Sequence, residues 1–336
     1  QDFKRMTKTK AFKNTIFFVI LVSLILGASG ALSYVSMQDE HLIQSRNKSM
    51  IEIQRQPKNS LDVIVVGDSL SYSAISPMQM WEEEGLTSYV CGQSGQKVQE
   101  TYSMLETAFE HQSPKVVVME TGPLFRVRGK SEEIKSTLSE QGNRFFPIFR
   151  YHDVWKPLLF GKKYGEQDFN GYLVRADKTI YKHGDTYMDS RKSLEDVKSV
   201  IDVYMQKIIA LCQENHAKLV LVSVPSPHNY NTARCDAIAS YAAANGLSYL
   251  NLNDTNTNVG IDWKTDCLDK GDHLNVYGAE KVTSYLGNYL EENYELEDHR
   301  NDPAYEAWNQ LAEQYEQNLA KRRGEIEVTK ETGVEK

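Results

Sequence analysis

The sequence predicts an α/β domain with a doubly wound parallel sheet sandwiched by helices, preceded by one N-terminal transmembrane helix. Residues 115–120 and 218–223 are continuous apolar runs, which are typical of parallel strands covered on both faces. Such short runs alternate with longer helical patterns along most of residues 61–293. Residues 14–38 contain no charged side chain, and this predicts the membrane helix.

As a helix, residues 14–38 would span roughly 37 Å, enough to cross a hydrocarbon core of about 30 Å. The preceding segment, 1–13, carries one acid, Asp2, and five bases, which are Lys4, Arg5, Lys8, Lys10 and Lys13. The positive-inside rule therefore predicts a single-pass protein of the cell membrane, with residues 1–13 in the cytoplasm and the main domain outside. Small residues at 27–31 leave a cleaved signal peptide as the alternative, which also places the domain outside.

Charge and cysteine content limit the classes of function. The chain of 336 residues has a formal net charge of −8, and the basic N-terminus makes the remainder more acidic still. Binding of nucleic acid by charge is therefore not expected. The four cysteines have no C-x-x-C spacing, so no zinc site is expected. In an oxidising compartment they can form disulfides, and Cys235 with Cys267 is the favoured pair because both follow predicted strands.

The elements of the main domain follow from the alternation of patterns. Residues 39–60 are polar without a clear period and are predicted to be a stalk or linker. Strands are predicted at 62–66, 88–90, 115–120, 218–223 and 248–252. Helices are predicted near 76–84, 96–111, 193–215, 232–244 and 277–292.

Residues 124–192 interrupt this alternation and are rich in aromatic and basic side chains. A segment of this length inside a compact domain is usually functional, for example as a lid or a docking surface. Packing on the domain as a satellite cluster is an equally good interpretation. Contact with lipid or with a membrane partner is a third, because apolar and basic residues alternate near the anchor.

The C-terminal segment, 294–336, is predicted to contain a charged helix and a disordered tail. Asp302 is a candidate N-cap and Pro303 fits the first helical position. The apolar residues that follow recur at spacings of three and four, and they are Trp308, Leu311, Tyr315 and Leu319. Beyond Arg323 the composition predicts disorder.

The stretch 61–70 is the strongest candidate for chemistry. Its apolar, mostly β-branched run ends at Gly67-Asp68-Ser69, so a buried strand would present Ser69 on a tight turn as a nucleophile. A base is expected from His273, which lies in a polar loop with Asp269 and Asp272 just before the last helix. His228, which follows another predicted strand, is the rival base.

These motifs resemble those of the SGNH/GDSL hydrolases. Residues 67–70 (Gly-Asp-Ser-Leu) are similar to the first family block, and 91–96 (Cys-Gly-Gln-Ser-Gly-Gln) to the second. Residues 269–275 are similar to the last block. The resemblance implies a flavodoxin-like fold without a cofactor, and it assigns the acid and the base to the last block. It also implies an oxyanion hole made by the N–H groups of Ser69 and Gly95, with Gly92 as the alternative glycine.

Two departures from the family pattern affect the predicted site. The third block usually offers an asparagine to the oxyanion, but residues 119–124 contain none, so the Thr121 hydroxyl is the candidate substitute. The last block usually has its acid three residues before the histidine, where this chain has Lys270. The acid is therefore Asp269 or Asp272, and the prediction leans slightly to Asp272.

The membrane anchor narrows what the resemblance implies. A chain that combines these motifs with a membrane anchor resembles the cell-envelope group of the family, exemplified by DltD and by partners of membrane-bound O-acyltransferases (MBOAT). The expected function is a serine O-acyltransferase or esterase acting on acetyl or D-alanyl-like groups of an envelope glycan or teichoic acid. The 145–172 region would then face an MBOAT partner. Two alternatives are an inactive scaffold that binds such a partner or polymer, and a nucleotide-binding domain, which would lack its usual G-x-G-x-x-G motif.

Overall fold

The computed structural model describes residues 2–126, 129–161, 164, 168–189 and 196–331. Its strands are β1 (Val63–Gly67), β2 (Ser88–Gly92), β3 (Val116–Glu120), β4 (Lys218–Ser223) and β5 (Ser248–Asn251). They form one parallel sheet in the order β2-β1-β3-β4-β5. This is the order of a flavodoxin-like doubly wound sheet, so the predicted fold class is confirmed.

Helices precede, connect and follow these strands. Those before β3 are α1 (Asp2–Gln38), α2 (Ser45–Arg55), α3 (Ser69–Ala74), α4 (Pro77–Glu84) and α5 (Val98–Phe109). Those between β3 and β4 are α6 (Lys130–Phe145), α7 (Ile148–Tyr151), α8 (Trp155–Phe160) and α9 (Ser199–Glu214). The last three are α10 (Thr232–Asn245), α11 (Val276–Asn293) and α12 (Glu306–Glu331).

Helices cover the sheet, as the continuous apolar strands require. Helices α4 and α11 pack together, and so do α5 and α9. Every residue of β1, β2 and β3 is buried. The register pairs Gly67 with Gly92, so the C-terminal ends of β1 and β2 meet at one edge of the sheet. Sites of doubly wound folds form at this edge.

The segment predicted to be a stalk is mostly folded onto the domain. Helix α2 packs against α5 and β2, and its residues Met50, Ile51 and Ile53 are buried. A stalk is therefore wrong for residues 45–55. These three apolar positions are too few to produce a clear helical period in the sequence, and only the packing partner makes them a core face.

The aromatic 124–192 region divides into an inner and an outer part. Phe169 and Tyr172 are buried and pack edge-on against Tyr315 of α12, with ring centroids 5.3 and 6.2 Å away. This inner part belongs to the main hydrophobic core of the domain rather than to a satellite cluster. Helices α6 to α8 form the outer part and carry exposed apolar side chains. Residues 127–128, 162–163, 165–167 and 190–192 of this region lie outside the described residues.

One helix of the described residues is long and apolar enough to cross a membrane, at Lys10–Gln38 within α1. Its C-terminal part also packs on the domain. The Ile148 N–H donates to Ser29 Oγ at 3.2 Å. A small apolar cluster joins the end of α1 to α2 and the α7–α8 region, and its members include Leu32, Val35, Met37, Ile43, Tyr151 and Val154.

The predicted C-terminal helix is confirmed. Asp302 accepts a hydrogen bond from the Ala304 N–H at 2.9 Å and caps a short 3-10 turn, Pro303–Tyr305, that leads into α12. Trp308 of α12 is buried and packs on Trp81 of α4, with ring centroids 5.5 Å apart. The helix continues past Arg323 to Glu331, where the composition predicts disorder, and 332–336 lie outside the described residues.

The predicted disulfide is wrong. Cys91, Cys212, Cys235 and Cys267 are all buried free thiols. Burial raises the pKa of the Cys235 thiol to about 11, so it behaves as a small apolar group rather than a reactive thiolate. Cys267 instead accepts a hydrogen bond from the Gly271 N–H, with Sγ and N 2.8 Å apart.

A buried carboxyl group makes the fold sensitive to pH. Glu84 of α4 is 6% exposed and lies against Gly287 of α11, where an added Cβ would be 2.5 Å from its carboxylate. Burial, followed by the charges of Glu83 and Glu291, raises the pKa of Glu84 from 4.5 to about 8. The folded state therefore binds a proton more tightly than the unfolded state, and stability decreases as pH rises between these two values.

We expect Glu84→Gln to remove this dependence, because a neutral amide has no charge to desolvate. Between about pH 5 and pH 9 the wild type should lose roughly 4 kcal/mol more of its free energy of unfolding than the variant. Denaturant titrations of both proteins at a series of pH values measure the difference. The exposed Glu292→Gln is the control, and equal pH dependence in all three proteins would contradict the expectation.

Candidate active site

Ser69 is presented by a close packed turn at the C-terminal end of β1. A Cβ on Gly67 would lie 2.7 Å from the Cβ of Glu120 on β3, so only glycine fits there. Asp68 caps α3, because its Oδ1 accepts a hydrogen bond from the Leu70 N–H at 2.9 Å. Ser69 is the first residue of α3 and is 8% exposed. The turn therefore holds its side chain at the edge of the sheet.

An ion pair between a buried aspartate and a partly exposed arginine anchors this turn. Asp68 is fully buried, and its Oδ2 accepts a hydrogen bond from Arg126 Nε at 2.6 Å, with a second contact from Nη2. Glu120 lies beside this pair, where it accepts hydrogen bonds from the Tyr230 hydroxyl and, at 2.9 Å, from the Gly122 N–H. Burial raises the pKa of Glu120 well above its ordinary value, and the Asp68 charge adds to the rise. A neutral Glu120 leaves Asp68 and Arg126 as a balanced pair.

Three side chains form a continuous line of hydrogen bonds at this edge. His273 Nε2 lies 2.8 Å from Ser69 Oγ, and His273 Nδ1 lies 2.7 Å from Asp269 Oδ2. The His273 backbone N–H also donates to Asp269 Oδ1 at 2.6 Å. In this arrangement the imidazole can accept the serine proton while the carboxylate orients the ring, which is the geometry of a Ser-His-Asp triad.

The prediction that leaned to Asp272 as the acid is wrong. Its Oδ2 is 3.7 Å from His273 Nδ1, and its Oδ1 instead accepts a hydrogen bond from Asn229 Nδ2 at 2.6 Å. The loop turns through Lys270 and Gly271, whose φ angles are +62° and +101°, between the two acids. This left-handed turn sets Asp269 rather than Asp272 beside the ring, and sequence spacing does not reveal such a turn.

His228, the rival base, packs against the His273 loop. Its backbone N–H donates to the Gly271 carbonyl at 3.0 Å, and its ring lies edge-on to Tyr181 with centroids 6.4 Å apart. It therefore supports the loop that carries His273. The ring that is hydrogen-bonded to Ser69 Oγ is that of His273.

A residue that the sequence did not single out holds the His273 loop in position. Asn275 caps α11, and its amide nitrogen donates to the Asp177 carbonyl at 3.0 Å and the Thr265 carbonyl at 2.8 Å. It thus connects the histidine loop to the end of the aromatic region. The position of Asn275 just before a predicted helix is the sequence signal that could have identified it as a helix cap.

The proposed hydroxyl donor to the oxyanion is wrong. Thr121 is fully buried, and its Oγ1 is engaged by Ser223 Oγ at 2.6 Å and the Tyr230 hydroxyl at 2.8 Å. Its hydroxyl therefore belongs to a network inside the fold. Polar side chains that end β3 and β4 satisfy one another there, since a buried hydroxyl without a partner is costly.

The two candidate glycines of the second block have different surroundings. Gly92 ends β2, and an added Cβ there would lie 2.5 Å from Ser71 Oγ, so glycine is required for close packing. Gly95 lies beyond the strand with φ +61°, and an added Cβ would meet no atom within 4 Å. Open space beside Gly95 is what an oxyanion donor needs, so its N–H, with that of Ser69, stays the prediction.

The acidic loop also has the composition of a metal site. Ligand atoms of Asp269, Asp272 and His273 lie within 4.8 Å of one another. Both ring nitrogens of His273 already have hydrogen-bond partners, one of them the Ser69 hydroxyl. The triad accounts for this cluster, so we assign no metal to it.

Comparison with known proteins gives distant structural likeness only. No family model and no curated protein matches the chain. It is similar to a candidate acylhydrolase from Bacteroides fragilis, with 12% identity and a TM-score of 0.37, over 72% of this chain and 93% of that one. A GDSL-like lipase from Bacteroides thetaiotaomicron has 12% identity and a TM-score of 0.35, over 69% and 88%. A lipase/acylhydrolase from Enterococcus faecalis has 12% identity and a TM-score of 0.32, over 70% and 99%. Because these values are low, the fold assignment rests on the strand order, and the site rests on its own geometry.

The two aspartates of the His273 loop provide a matched test of the site. Asp269→Asn should slow the reaction of Ser69 with a fluorophosphonate at least about 100-fold, because the ring loses the carboxylate that orients it. The Asp269 side chain is 42% exposed, so solvent should limit the loss below that of a fully buried acid. Asp272→Asn should slow the reaction less than about 5-fold. Equal losses in the two variants, measured as labelling rates, would refute this assignment.

Proposed function

We propose that this protein is a membrane-anchored serine hydrolase of the SGNH type, acting as an esterase or an O-acyltransferase. The observation that carries the proposal is the hydrogen-bonded line from Ser69 through His273 to Asp269. It is supported by the order of the three motif blocks along the chain and by their meeting at one edge of the sheet. An α/β fold alone would not support a function, since such folds host many activities.

The geometry supports a two-step acyl transfer. Ser69 Oγ attacks the acyl carbonyl carbon while His273 Nε2 takes its proton, and the N–H groups of Ser69 and Gly95 stabilise the oxyanion. His273 then gives that proton to the leaving oxygen, and an acyl-serine ester remains. In the second step His273 takes a proton from water or an acceptor hydroxyl, which attacks the ester and releases Ser69.

The proposed substrates are acetyl or D-alanyl-like esters on an envelope glycan or teichoic acid. This part rests on the predicted extracytoplasmic domain and on the resemblance to the DltD group. The same resemblance suggests an MBOAT acyltransferase as the partner that supplies the acyl group. Water as the acceptor makes the protein an esterase, and a polymer hydroxyl makes it a transferase.

The contact between α1 and the domain supports a position of the domain directly against the membrane surface. From Lys13, the last charged residue before the apolar run, to Ser29, the α-helical rise is about 24 Å. A hydrocarbon core of about 30 Å would therefore extend past Ser29. Because Ser29 Oγ accepts a hydrogen bond from the Ile148 N–H, the start of α7 would lie at the level of the outer leaflet.

Exposed apolar side chains are concentrated where this estimate puts lipid. We define the membrane-side surface as the exposed apolar residues of α7 and α8, which are Phe149, Trp155, Leu158, Leu159 and Phe160, each between 45% and 74% exposed. So apolar a patch is unusual on a surface that faces water. Lys156, with a long side chain that can reach the headgroups, lies next to Trp155, a residue favoured at membrane interfaces. We propose that this surface enters the outer leaflet.

Tryptophan fluorescence tests this placement. The chain has four tryptophans, and only Trp155 is well exposed, since Trp81, Trp263 and Trp308 are 2%, 5% and 7% exposed. In vesicles that contain brominated phosphatidylcholine, the full-length protein should show partial quenching. Trp155→Phe should abolish the quenching and Trp263→Phe should preserve it. Quenching that survives Trp155→Phe, or none in the wild type, would refute contact of this surface with lipid.

The nucleophile is tested by Ser69→Ala. Loss of the hydroxyl should abolish both cleavage of p-nitrophenyl acetate and labelling by a fluorophosphonate, with a residual rate at least about 1,000-fold lower. Persistent labelling of the variant would remove Ser69 as the nucleophile. Unchanged far-UV circular dichroism is the control for folding.

A scaffold without catalysis is the second candidate. It is favoured by the absence of a third-block asparagine and by the burial of Thr121, which leave only backbone donors for the oxyanion. The two candidates differ in cells that lack the wild-type protein. A scaffold predicts that Ser69→Ala restores full polymer acylation, and an enzyme predicts that Ser69→Ala fails.

A further inference from the structure

The loop that carries the triad acid and base is closed at both ends by backbone contacts. Cys267 and Leu274 form an antiparallel bridge, and the Leu268 N–H donates to the His273 carbonyl at 2.9 Å. The tip of this loop, residues 269–272, contains both aspartates. The closed ends leave the conformation of the tip to be set by contacts inside the loop.

A buried sulfur lies inside this loop. Cys267 is 1% exposed, and its Sγ accepts a hydrogen bond from the Gly271 N–H, with the two atoms 2.8 Å apart. Burial raises the pKa of the Cys267 thiol, and the backbone N–H groups of residues 269–271, Gly271 first among them, oppose the rise. The neutral sulfur therefore faces three successive N–H groups of the tip.

The tip needs such an acceptor because its backbone turns through the left-handed region. The φ angles of Lys270 and Gly271 are +62° and +101°. Glycine adopts this region freely, but a lysine there costs roughly 1–2 kcal/mol. Successive N–H groups that converge in a turn form a concave surface, which is stable when an acceptor occupies it. Here the Cys267 sulfur takes that place, so its hydrogen bonds offset the strain at Lys270.

The conformation of the tip fixes the triad carboxylate. Asp269 Oδ1 accepts a hydrogen bond from the His273 backbone N–H at 2.6 Å, and its Oδ2 lies 2.7 Å from His273 Nδ1. The Asp269 side chain is 42% exposed, so close packing on all sides does not hold it. Its backbone conformation decides where the carboxylate lies, and that backbone is part of the turn around the Cys267 sulfur.

We propose that Cys267 is a positioning residue of the triad. Its sulfur accepts the N–H groups of residues 269–271 and so sets the turn of the loop. That turn places Asp269, and not Asp272, beside His273. Cys267 touches no reacting atom and acts through Asp269. The proposal rests on the proposed function in one respect, since it takes the triad as the catalytic machinery.

Cys267→Ala removes the acceptor and tests the proposal on the full-length protein in detergent. The variant should react with a fluorophosphonate at least about 10-fold more slowly than the wild type, because a misplacement of about 1 Å in a catalytic group can cost about 100-fold. With p-nitrophenyl acetate the loss should appear in kcat, while KM stays unchanged. A labelling rate equal to that of the wild type would overturn the proposal.

Cys212→Ala is the matched control. Cys212 is an equally buried thiol, 1% exposed, and it lies beside the N-terminal ends of β4 and β5, at the opposite edge of the sheet from the triad. The substitution should lower Tm as Cys267→Ala does but change the labelling rate less than about 2-fold. Equal labelling rates for the two variants would contradict a positioning role.

A double-mutant cycle separates positioning from a general loss of structure. When Asp269→Asn has already removed the carboxylate, Cys267→Ala should slow the labelling less than about 2-fold further, because no triad acid remains to be positioned. A further loss of about 10-fold in this background would show that the sulfur acts through some other contact, and the proposal would then be wrong.

Cys267→Ser is the conservative variant. A serine oxygen can accept from the same N–H groups on a shorter bond to Cβ, so the labelling rate should lie between those of the alanine variant and the wild type. A serine variant as slow as the alanine variant would refute the role of the sulfur as an acceptor. If the alanine variant does not fold, the same cycle with Cys267→Ser tests the coupling to Asp269.

Proton NMR makes the test independent of catalysis, so the two proposals can fail separately. In the full-length Ser69→Ala protein, the proton between His273 Nδ1 and Asp269 should give a low-field resonance, assigned by its absence from a His273→Ala variant. Adding Cys267→Ala should remove or shift this resonance, whereas Cys212→Ala should leave it in place. An unchanged resonance would refute only the role of Cys267. A resonance that responds as expected, in a protein that cleaves no ester, would refute only the hydrolase.

Discussion

The ion pair between the buried Asp68 and the partly exposed Arg126 is the interaction on which the site depends. Asp68 is at once the residue before Ser69, the cap of α3 and the partner of Arg126. The Asp68 side chain is fully buried and that of Arg126 is 34% exposed, so loss of Arg126 would leave an unpaired carboxylate in the interior. Burial raises the pKa of the neighbouring Glu120, and the Asp68 charge adds to the rise. The electrostatics under the turn thus constrain where Ser69 Oγ lies.

Three long-range connections converge on that turn. The β1–β2 register brings Gly92 and Gln93 to one flank, where a cavity of about 640 Å³ lies. The His273 loop reaches the nucleophile through its own hydrogen bond, and Asn275 ties that loop to residue 177. The proton-transfer groups and the cavity thus occupy different positions around one serine.

The cavity and the proposed membrane-side surface lie on connected elements of the fold. Helix α2, which follows the predicted membrane helix after a short connection, supplies Arg46 and Lys48 to the cavity and packs under the end of α1. An anchored domain whose α7–α8 surface enters the outer leaflet would hold the cavity close to the headgroups. Such a position suits a reaction in which a membrane protein delivers an acyl group to a polymer at the cell surface.

The sequence alone determined the sheet, its helices, Ser69 and His273, because hydrophobic periodicity and short motifs are local properties. Most predicted boundaries lie within two residues of those observed, and the strand at 218–223 coincides with β4. What only the tertiary structure decided were contacts between distant residues. A left-handed turn at Lys270 and Gly271 selects Asp269 over Asp272, and burial removes Thr121 from the oxyanion site. Helix α2 and the Arg126 partner of Asp68 are also set by packing. Residues 61–70 thus specified the nucleophile, while residues far along the chain decided how that nucleophile is held.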